Sequence, residues 1–395
     1  MKSALSVALL LLAAACRQET PLPPSAAPEP LVKRVIDRKN LLDLTRGAVV
    51  IHRTGELKLA SSALHAIDGN DANTWTSPPG DVRQSATIEL AAPARVSRIG
   101  FSTGALSDAA RAAKEIAFDA SADGVTYRPL ATASFARPGD RQTVAVTPTD
   151  VRFIRATLTK NYGEARLIDV SALVAYGVET SEPAKGPIAG EWILNRTRAR
   201  FAQQGERVFG EVEMNPTMHI EGVWSGRHIR FVWTRGDKQF GLGLIAINPA
   251  GDRLNGVWFF EEAFPIFGGQ VWFGEKRSAN ARVAEAPVLE ELFDRAKRLV
   301  LYDDTRSIET LRRLLERDRG QKLRIVAHEF RGESPEDNRR RAGEAVETLK
   351  AGLARVADLS NVEFIAAGSD QWQTPASTLE EALFSRMILE AAKIE

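Results

Sequence analysis

Runs in which apolar and polar residues alternate fill the segment from about 31 to 178. They are ATIEL, VSRIGFST, EIAFDAS, QTVAVT, VRFIRATL and DVSALVAYG. Runs of this kind, separated by Gly, Pro and Asp turns, are typical of an antiparallel β-sandwich. The segment 31–178 is therefore predicted to be a β-sandwich.

The segment 186–277 also alternates and shows no helical period. Its strand-like runs are GEWILN, RVFGEVEM, MHIEGVW, HIRFVWT, FGLGLIAI, RLNGVWFF and GQVWFG. With hairpin turns at SGR, RGD and PAGD, this pattern predicts an antiparallel meander that closes into a small β-barrel. Five tryptophans lie inside the runs, where they either form the barrel core or line a ligand pouch: Trp192, Trp224, Trp233, Trp258 and Trp272.

From about 286 to 395 the apolar positions recur at helical spacing. One predicted helix ends at Gly320, and a second covers Ala342–Leu353. The apolar runs LRIVA and VEFIA are predicted strands, and Ser377 with Glu380 forms a capping box for a last helix. The alternation of helices and strands predicts an α/β unit, so the chain is expected to be multidomain.

The first residues have the anatomy of a secretory signal peptide. Lys2 precedes an apolar run, Ala4–Ala15, that is too short to span a bilayer. The stretch LAAAC, ending at Cys16, resembles the lipobox of bacterial lipoproteins, although Ala13 stands where that motif prefers leucine. The resemblance implies that residues 1–16 are a lipoprotein signal peptide and that Cys16 is acylated. The alternative is a plain cleaved signal with an incidental cysteine.

Residues 17–30 are rich in proline and are predicted to form an extended tether. Arg17 follows the cysteine, where lipoproteins kept at the inner membrane usually carry aspartate. We therefore expect a protein held on the outer membrane by its lipid anchor and facing the periplasm.

The net charge and the motifs of the chain limit the classes of function that we expect. The 52 basic and 51 acidic residues leave a net charge of +1, which gives no reason to expect nucleic acid as a partner. The five histidines show no metal-binding spacing, and neither a G-x-S-x-G motif nor a phosphate-binding loop occurs. Glu261 and Glu262 could be half of a catalytic carboxylate pair, but no opposed carboxylate can be identified. The protein is predicted not to be an enzyme. The alternatives are a cell-wall or polysaccharide hydrolase with its site in the middle segment, or an assembly scaffold.

The stretch SSALHAIDGNDANTW, residues 61–75, concentrates oxygen-bearing side chains in one loop. Asp68, Asp71 and Thr74 are candidate ligands of a structural Ca²⁺, because Ca²⁺ takes oxygen ligands from flexible loops. An EF-hand is excluded because Pro79 stands where that loop needs a bidentate glutamate. The alternative is an Asx-rich turn without an ion. The tryptophan that closes the stretch is predicted to anchor the loop in the core rather than to form a sugar platform.

Five motifs occur in the order found in discoidin domains, the galactose-binding-like jelly roll of many carbohydrate-binding modules: AIDGNDANTW, IEL, ASADGVTY, RFIRATLTKNYG and VAYG. Segment 31–178 therefore resembles a discoidin domain. The resemblance implies a jelly-roll sandwich, a structural Ca²⁺ at the Asp68 loop, and a glycan or envelope polymer bound among the loops at one end. Polar groups beside an aromatic ring suit sugar hydroxyls, and the candidate ligand-binding residues are His65, Arg83, Asn161 and Tyr162.

The third segment resembles a divergent OmpA-like peptidoglycan-binding domain in the stretches VLYDD, LRIVAHEF, RRRAGEAVETL and SRMILE. The resemblance implies that Arg341 binds the carboxylate of a peptidoglycan stem peptide, a role that suits a guanidinium, and Arg386 matches a later family arginine. Phe330 stands at the family's aspartate position, and the loop before the second helix is shorter than in the family. We therefore expect only weak peptidoglycan binding. The alternative is that Arg339, Arg340 and Arg341 form a solvated helix face.

Overall fold

The computed structural model describes residues 36–81, 83–104, 106, 108–163, 165–184, 186–260, 269–283, 288–301, 305–317, 320–370, 375 and 377–391. All of them belong to one unit, Arg34–Glu395. The predicted signal peptide with Cys16, and the proline-rich tether, lie outside the described residues, as do Glu261 and Glu262.

The first segment folds into an antiparallel β-sandwich, as predicted. Its strands are β1 (Val49–Arg53), β2 (Trp75–Thr76), β3 (Ser85–Ser102), β4 (Ala113–Ser121), β5 (Arg128–Ser134), β6 (Gln142–Asn161), β7 (Asp169–Val170) and β8 (Ala172–Glu179). The main sheet has six strands in the order β1-β3-β6-β4-β5, with β8 also paired to β3, while β2 and β7 form a separate two-stranded sheet.

The two longest strands, β3 and β6, each contain two of the predicted alternating runs. The register between them shifts from Glu89 to Ala94. Before the shift β3 also pairs with β1, and after it β3 pairs with β8. Because a register shift bends a strand without ending it, two alternating runs belong here to one strand.

The middle segment is a closed antiparallel barrel of eight strands, which confirms the predicted meander and its closure. The strands are β9 (Gly190–Leu194), β10 (Thr197–Gln204), β11 (Arg207–Val212), β12 (Met218–Trp224), β13 (Ile229–Arg235), β14 (Gln239–Ile247), β15 (Arg253–Phe260) and β16 (Gln270–Ser278). Each strand pairs with the next along the chain, and β9 pairs with both β10 and β16. The sequence pattern predicts every strand of this barrel except β10.

Aromatic side chains fill the barrel interior. The five tryptophans are 0–6 % exposed and belong to one apolar cluster. Glycines on neighbouring strands make room for the rings: a Cβ on Gly243 would lie 2.3 Å from Phe231 Cζ, and a Cβ on Gly241 would lie 2.8 Å from Trp233 Nε1. Of the two alternatives, the tryptophans therefore form the core of the barrel rather than line a pouch.

The third segment is an α/β unit. Its elements are α1 (Val288–Ala296), β17 (Arg298–Leu301), α2 (Thr305–Arg317), β18 (Leu323–His328), α3 (Pro335–Leu353), β19 (Val362–Gly368), α4 (Thr378–Phe384) and β20 (Arg386–Ala391). The sheet order is β17-β20-β18-β19, and only β18 and β19 are parallel. The predicted cap of α4 is present, because Ser377 Oγ accepts a hydrogen bond of 3.1 Å from Glu380 N.

The barrel packs against both other segments. Leu244 and Val257, which alternate with interior positions of β14 and β15, share an apolar cluster with residues of the sandwich and with Phe384 of α4. Val232 of β13 joins a second cluster formed mainly by the α/β unit. The three segments thus share buried apolar surface. None of the helices in the described ranges is long and apolar enough to cross a bilayer.

Candidate functional site

The Asp68 loop is a tight turn closed by hydrogen bonds to one carboxylate. Asp68 Oδ2 lies 2.8 Å from His65 Nδ1 and accepts from Asn73 Nδ2 at 2.7 Å, while Oδ1 accepts from Asn70 N at 2.8 Å. A carboxylate only accepts, so Nδ1 of His65 carries the hydrogen. The side chains of His65 and Asp68 are both fully buried.

Asp71, the second carboxylate predicted to bind calcium, pairs with an arginine instead. Asp71 forms an ion pair of 2.7 Å with Arg141, which also contacts Asp37 at 3.2 Å. Burial raises the pKa of Asp71 to about 6 despite the opposing charge of Arg141. Thr74 is half-buried beside the turn.

This arrangement does not fit a calcium ion at Asp68. Ca²⁺ takes about six to eight oxygen ligands, whereas the Asp68 carboxylate faces three N–H donors. Within the described ranges, no group of three His, Cys, Asp or Glu side chains is placed to hold a metal. The geometry favours the Asx-rich turn, and calcium stays a prediction for experiment. Trp75 beneath the turn is fully buried, and its Nε1 donates to Gly55 O at 3.3 Å.

Three loops meet at one end of the sandwich. Gly80 N donates to Arg166 O at 2.9 Å, which joins the segment after β2 to the segment after β6. Gly163 N donates to Ala110 O at 3.0 Å, which adds the segment before β4. Arg83 is exposed on the first of these loops. The three loops that carry or adjoin the predicted sugar-binding residues are therefore held together.

The predicted ligand-binding side chains differ in the hydrogen-bonding groups and the exposed surface that they can present to a ligand. Asn161 Nδ2 donates to Ala165 O at 2.7 Å and Leu167 O at 2.9 Å, so its two amide hydrogens are used within the loop and Oδ1 remains as an acceptor. Tyr162 is half-buried, and burial raises its pKa. His65 is 1 % exposed beneath the Asp68 turn. The end of the sandwich therefore gathers Arg83, Asn161 and Tyr162, whereas His65 offers no surface to a ligand.

Two further arginines lie at this end that sequence reasoning did not select. Arg166 is exposed on the loop that carries Tyr162, and Arg111 forms an ion pair of 2.9 Å with Asp169. Both come from short polar loops, and no spacing in the sequence distinguishes them from other surface arginines.

The residues predicted to bind peptidoglycan differ in their exposure to solvent and in their surroundings. Arg341 is 44 % exposed on α3, and its Nε donates to Asp337 at 2.8 Å. Arg386 is 6 % exposed at the start of β20. Phe330 is 5 % exposed in the apolar cluster shared with the sandwich. An aspartate at position 330 would therefore be a buried charge, which is costly unless it is paired.

The three arginines at the start of α3 all have carboxylate partners. Arg339 pairs with Asp370, Arg340 with Asp337 and Glu344, and Arg341 with Asp337. Arg340 and Arg341 pair within α3, and exposed pairs of this type agree with the alternative of a solvated helix face.

Residues 53–170 match the model of the F5/8 type C domain. The first segment thus contains an F5/8 type C domain, which is discoidin-like. A search of curated proteins gave no match to the chain.

Solved structures similar to this chain each cover about a third of it. One is CBM32-3 from a family 31 glycoside hydrolase of Clostridium perfringens, with 18 % identity, 34 % of this chain and 92 % of that chain covered, and a TM-score of 0.31. Another is the family 32 CBM of NanJ from Clostridium perfringens in complex with galactose, with 21 % identity, 33 % and 98 % covered, and a TM-score of 0.28.

Proposed function

We propose that this protein is a non-enzymatic, lipid-anchored protein of the bacterial cell envelope that binds a glycan through its discoidin-like domain. The observation that supports this most is the match of residues 53–170 to the F5/8 type C domain. The ligand would bind at the end of the sandwich that carries Arg83, Asn161 and Tyr162. The guanidinium of Arg83 and the amide oxygen of Asn161 can hydrogen-bond sugar hydroxyls, and the ring of Tyr162 supplies an aromatic surface beside them.

A glycan array followed by calorimetry on the full chain tests this proposal. Arg83→Ala and Tyr162→Ala should each weaken binding, since each removes a contact without breaking an internal bond of the loop. Arg128→Ala is the matched control: Arg128 is exposed and lies at the other end of β4, opposite Ala120, whereas Asn161 lies opposite Ala113. Equal losses in the control and the test variants would contradict the assigned end.

The alternating strands and helices of the third segment support an OmpA-like domain that binds peptidoglycan weakly. Arg341 is accessible on α3, but Asp337 already occupies its guanidinium. Sedimentation of the full chain with purified peptidoglycan should therefore be weak and should fall further in Arg341→Gln. Arg340→Gln is the control, because Arg340 is exposed on the same helix. If Arg341→Gln leaves sedimentation unchanged, the segment serves as a docking surface for other envelope proteins.

The outer-membrane anchor and the absence of catalysis are separate parts of the proposal. Cys16→Ser should release the protein into the soluble periplasmic fraction, and full retention after a high-salt wash would contradict lipidation as the anchor. A zymogram against peptidoglycan and common glycans should show no lytic band, and a band would identify a hydrolase instead.

A further inference from the structure

A cavity of about 500 Å³ opens between the sandwich and the barrel. Its walls come from β1 and the 3-10 helix Leu59–Ser61 on the sandwich side, and from β9, β15, β16 and the turn after β9 on the barrel side. None of the described residues that line it belongs to the set assigned to glycan binding. A ligand here would therefore contact a second, separate set of side chains.

The turn between β9 and β10 carries an arginine in a backbone conformation that favours glycine. Leu194 pairs with Thr197, so the turn consists of Asn195, with φ 48°, and Arg196, with φ 83°. A two-residue hairpin turn with positive φ at both positions is a type I′ turn, in which Asn-Gly is a favoured pair. Arg196 thus stands where glycine would cause no strain.

The side chain of Arg196 is available to a ligand. It is exposed, lines the cavity, and makes no hydrogen bond or ion pair in the part of the chain that the structure describes. The turn itself is fixed, because Asn195 Oδ1 accepts from Phe273 N at 3.0 Å and Asn195 N donates to Phe273 O at 3.1 Å. A strained residue with a free charge on a fixed turn is typical of a binding position rather than of one kept for stability.

Arg53 brings further free N–H groups to the cavity. Its Cζ lies 3.5 Å from the centroid of the Phe273 ring, and Glu56 accepts from its Nε at 3.1 and 3.0 Å. These two contacts hold the guanidinium in place. Nη1 and Nη2 of Arg53 make no hydrogen bond to any described residue, so they are left for a ligand.

Arg253 is the third arginine that lines the cavity. Its Nη1 donates to Asp252 O at 3.2 Å, and its ion pairs with Asp252 and Glu275 are both 4.0 Å long. Glu275 is the one carboxylate among the described lining residues, and it also lies 3.6 Å from Arg277. The close carboxylate contacts are thus limited to Nε of Arg53, and the free forks of Arg196 and Arg53 suit an oxyanion.

Apolar side chains form much of the remaining wall. Ile51, Ile193 and Phe273 are half-buried, and Leu59 is 46 % exposed. Because Arg53 covers one face of the Phe273 ring, the free apolar surface is mainly aliphatic. Such a surface suits a hydrocarbon chain better than a stacked aromatic ring.

We propose that this cavity binds an amphipathic anion, that is, a short hydrocarbon chain that carries a carboxylate or a phosphate. Arg196 and Arg53 bind the oxyanion, and the aliphatic side chains cover the hydrocarbon. The volume lies within the usual range for small-molecule sites and exceeds what acetate or free phosphate would fill.

Calorimetry on the full chain at low ionic strength tests the proposal with four probes: octanoate, octyl phosphate, octan-1-ol and acetate. Octanoate or octyl phosphate, or both, should bind, and the comparison of these two identifies the head group. Octan-1-ol lacks the charge and acetate lacks the chain, so each should bind about tenfold more weakly or not at all.

Arg196→Gly separates binding from stability. It removes the charge and places the favoured residue in the turn, so the affinity for the amphipathic anion should fall about tenfold or more, while the melting temperature should rise by about 1–3 °C. Lys238→Gln is the matched control, because Lys238 is exposed on the turn between β13 and β14 and does not line the cavity. Leu59→Ser should weaken the binding of octanoate or octyl phosphate by removing apolar contact.

Several results would overturn the proposal. They are no binding of either amphipathic anion, equally tight binding of octan-1-ol or acetate, unchanged affinity in Arg196→Gly, or an equal loss in Lys238→Gln. A lower melting temperature of Arg196→Gly would show that the turn keeps arginine for stability, which also contradicts the proposal. Arg83→Ala should leave this binding intact, and a loss in that variant would assign it to the glycan-binding end instead. The glycan array can fail without altering any of these results, so the two proposals are tested separately.

Discussion

Asn255 of the barrel pairs with both backbone polar groups of Val50 in the sandwich. Asn255 Oδ1 accepts from Val50 N at 2.5 Å, and Asn255 Nδ2 donates to Val50 O at 3.2 Å. Both residues are buried, and Val50 lies in β1 beside β3. One amide thus continues the hydrogen bonding of a sandwich strand into the wall of the barrel.

Asn255→Ala should destabilise the whole chain. The change leaves a buried N–H and a buried C=O of Val50 without their partner, and each unsatisfied group costs about 1–3 kcal/mol. We expect the free energy of unfolding in urea to fall by about 2–4 kcal/mol. Asn280→Ala is the control, because Asn280 is exposed, and it should change little. Equal stability of the two variants would show that the pairing contributes nothing.

The Asp68 turn should need its carboxylate but not an ion. Asp68→Ala removes the acceptor of three hydrogen bonds in a buried site, so we expect a loss of about 3 kcal/mol or more. Melting curves of the unmodified chain with and without chelator should coincide. A lower melting temperature in chelator, absent from Asp68→Ala, would establish the calcium site instead, because an ion that binds only the folded state stabilises it.

Acid should unfold the protein partly through His228. Its pKa falls to about 3 in the folded chain, against an ordinary value of 6.5. Between these values the unfolded chain binds a proton that the folded chain does not, so the free energy of unfolding should decrease as pH drops from about 6.5 towards 3. His228→Asn keeps a donor for Thr45 O and should flatten this slope.

Denaturant curves at several pH values measure the effect. Asp43 acts in the opposite sense: burial raises its pKa to about 6, so its contribution to stability falls as pH rises from about 3.8 to 6. Asp43 is present in every variant, so its contribution cancels from the difference. His52→Asn serves as the control because His52 is exposed. Parallel curves for His228→Asn and the unmodified chain would contradict the prediction.

Two glycine substitutions should change stability in opposite directions. In Gly243→Ala the new Cβ would meet Phe231 Cζ at 2.3 Å and Val257 O at 2.6 Å inside the barrel, which should cost about 1–3 kcal/mol. In Gly343→Ala the nearest atom would be Ala366 Cβ at 3.9 Å, so alanine should stabilise α3 by about 0.5–1 kcal/mol. Thermal melting separates the two. A stabilised Gly243→Ala would mean that the barrel interior has unfilled space.

The sequence predicted the strands whose apolar residues alternate clearly and missed those whose apolar residues are few. In β10, Ala199 and Phe201 are fully buried, whereas Arg198 and Arg200 lie on the alternate face and form ion pairs. With so few apolar positions, the run TRARFAQQ has too weak a period to distinguish from a polar loop. Its identity as a strand comes from its two neighbours in the barrel.

Only the parts of the site that are formed by residues close together in the sequence could be predicted. The Asp68 loop was recognisable as a polar turn, but its hydrogen bonds depend on His65 folding back through the short 3-10 helix Ala63–Ala66. The pairing of two arginines with Glu179 could not be predicted at all. Arg46 and Arg227 meet on Glu179 although they lie far apart in the chain, and no periodicity links positions at that separation.

The buried surface shared by the barrel, the sandwich and α4 bears on how this chain can evolve and mature. A domain that has its own closed core can be duplicated, exchanged or deleted by recombination at its linkers. Here the sides of Leu244 and Val257 that face out of the barrel are covered by residues of the other segments. Deleting either neighbour would expose an apolar patch of the kind that makes proteins aggregate. The three segments are therefore expected to be inherited together, and the newly made chain must complete all of them before any one is safe from aggregation.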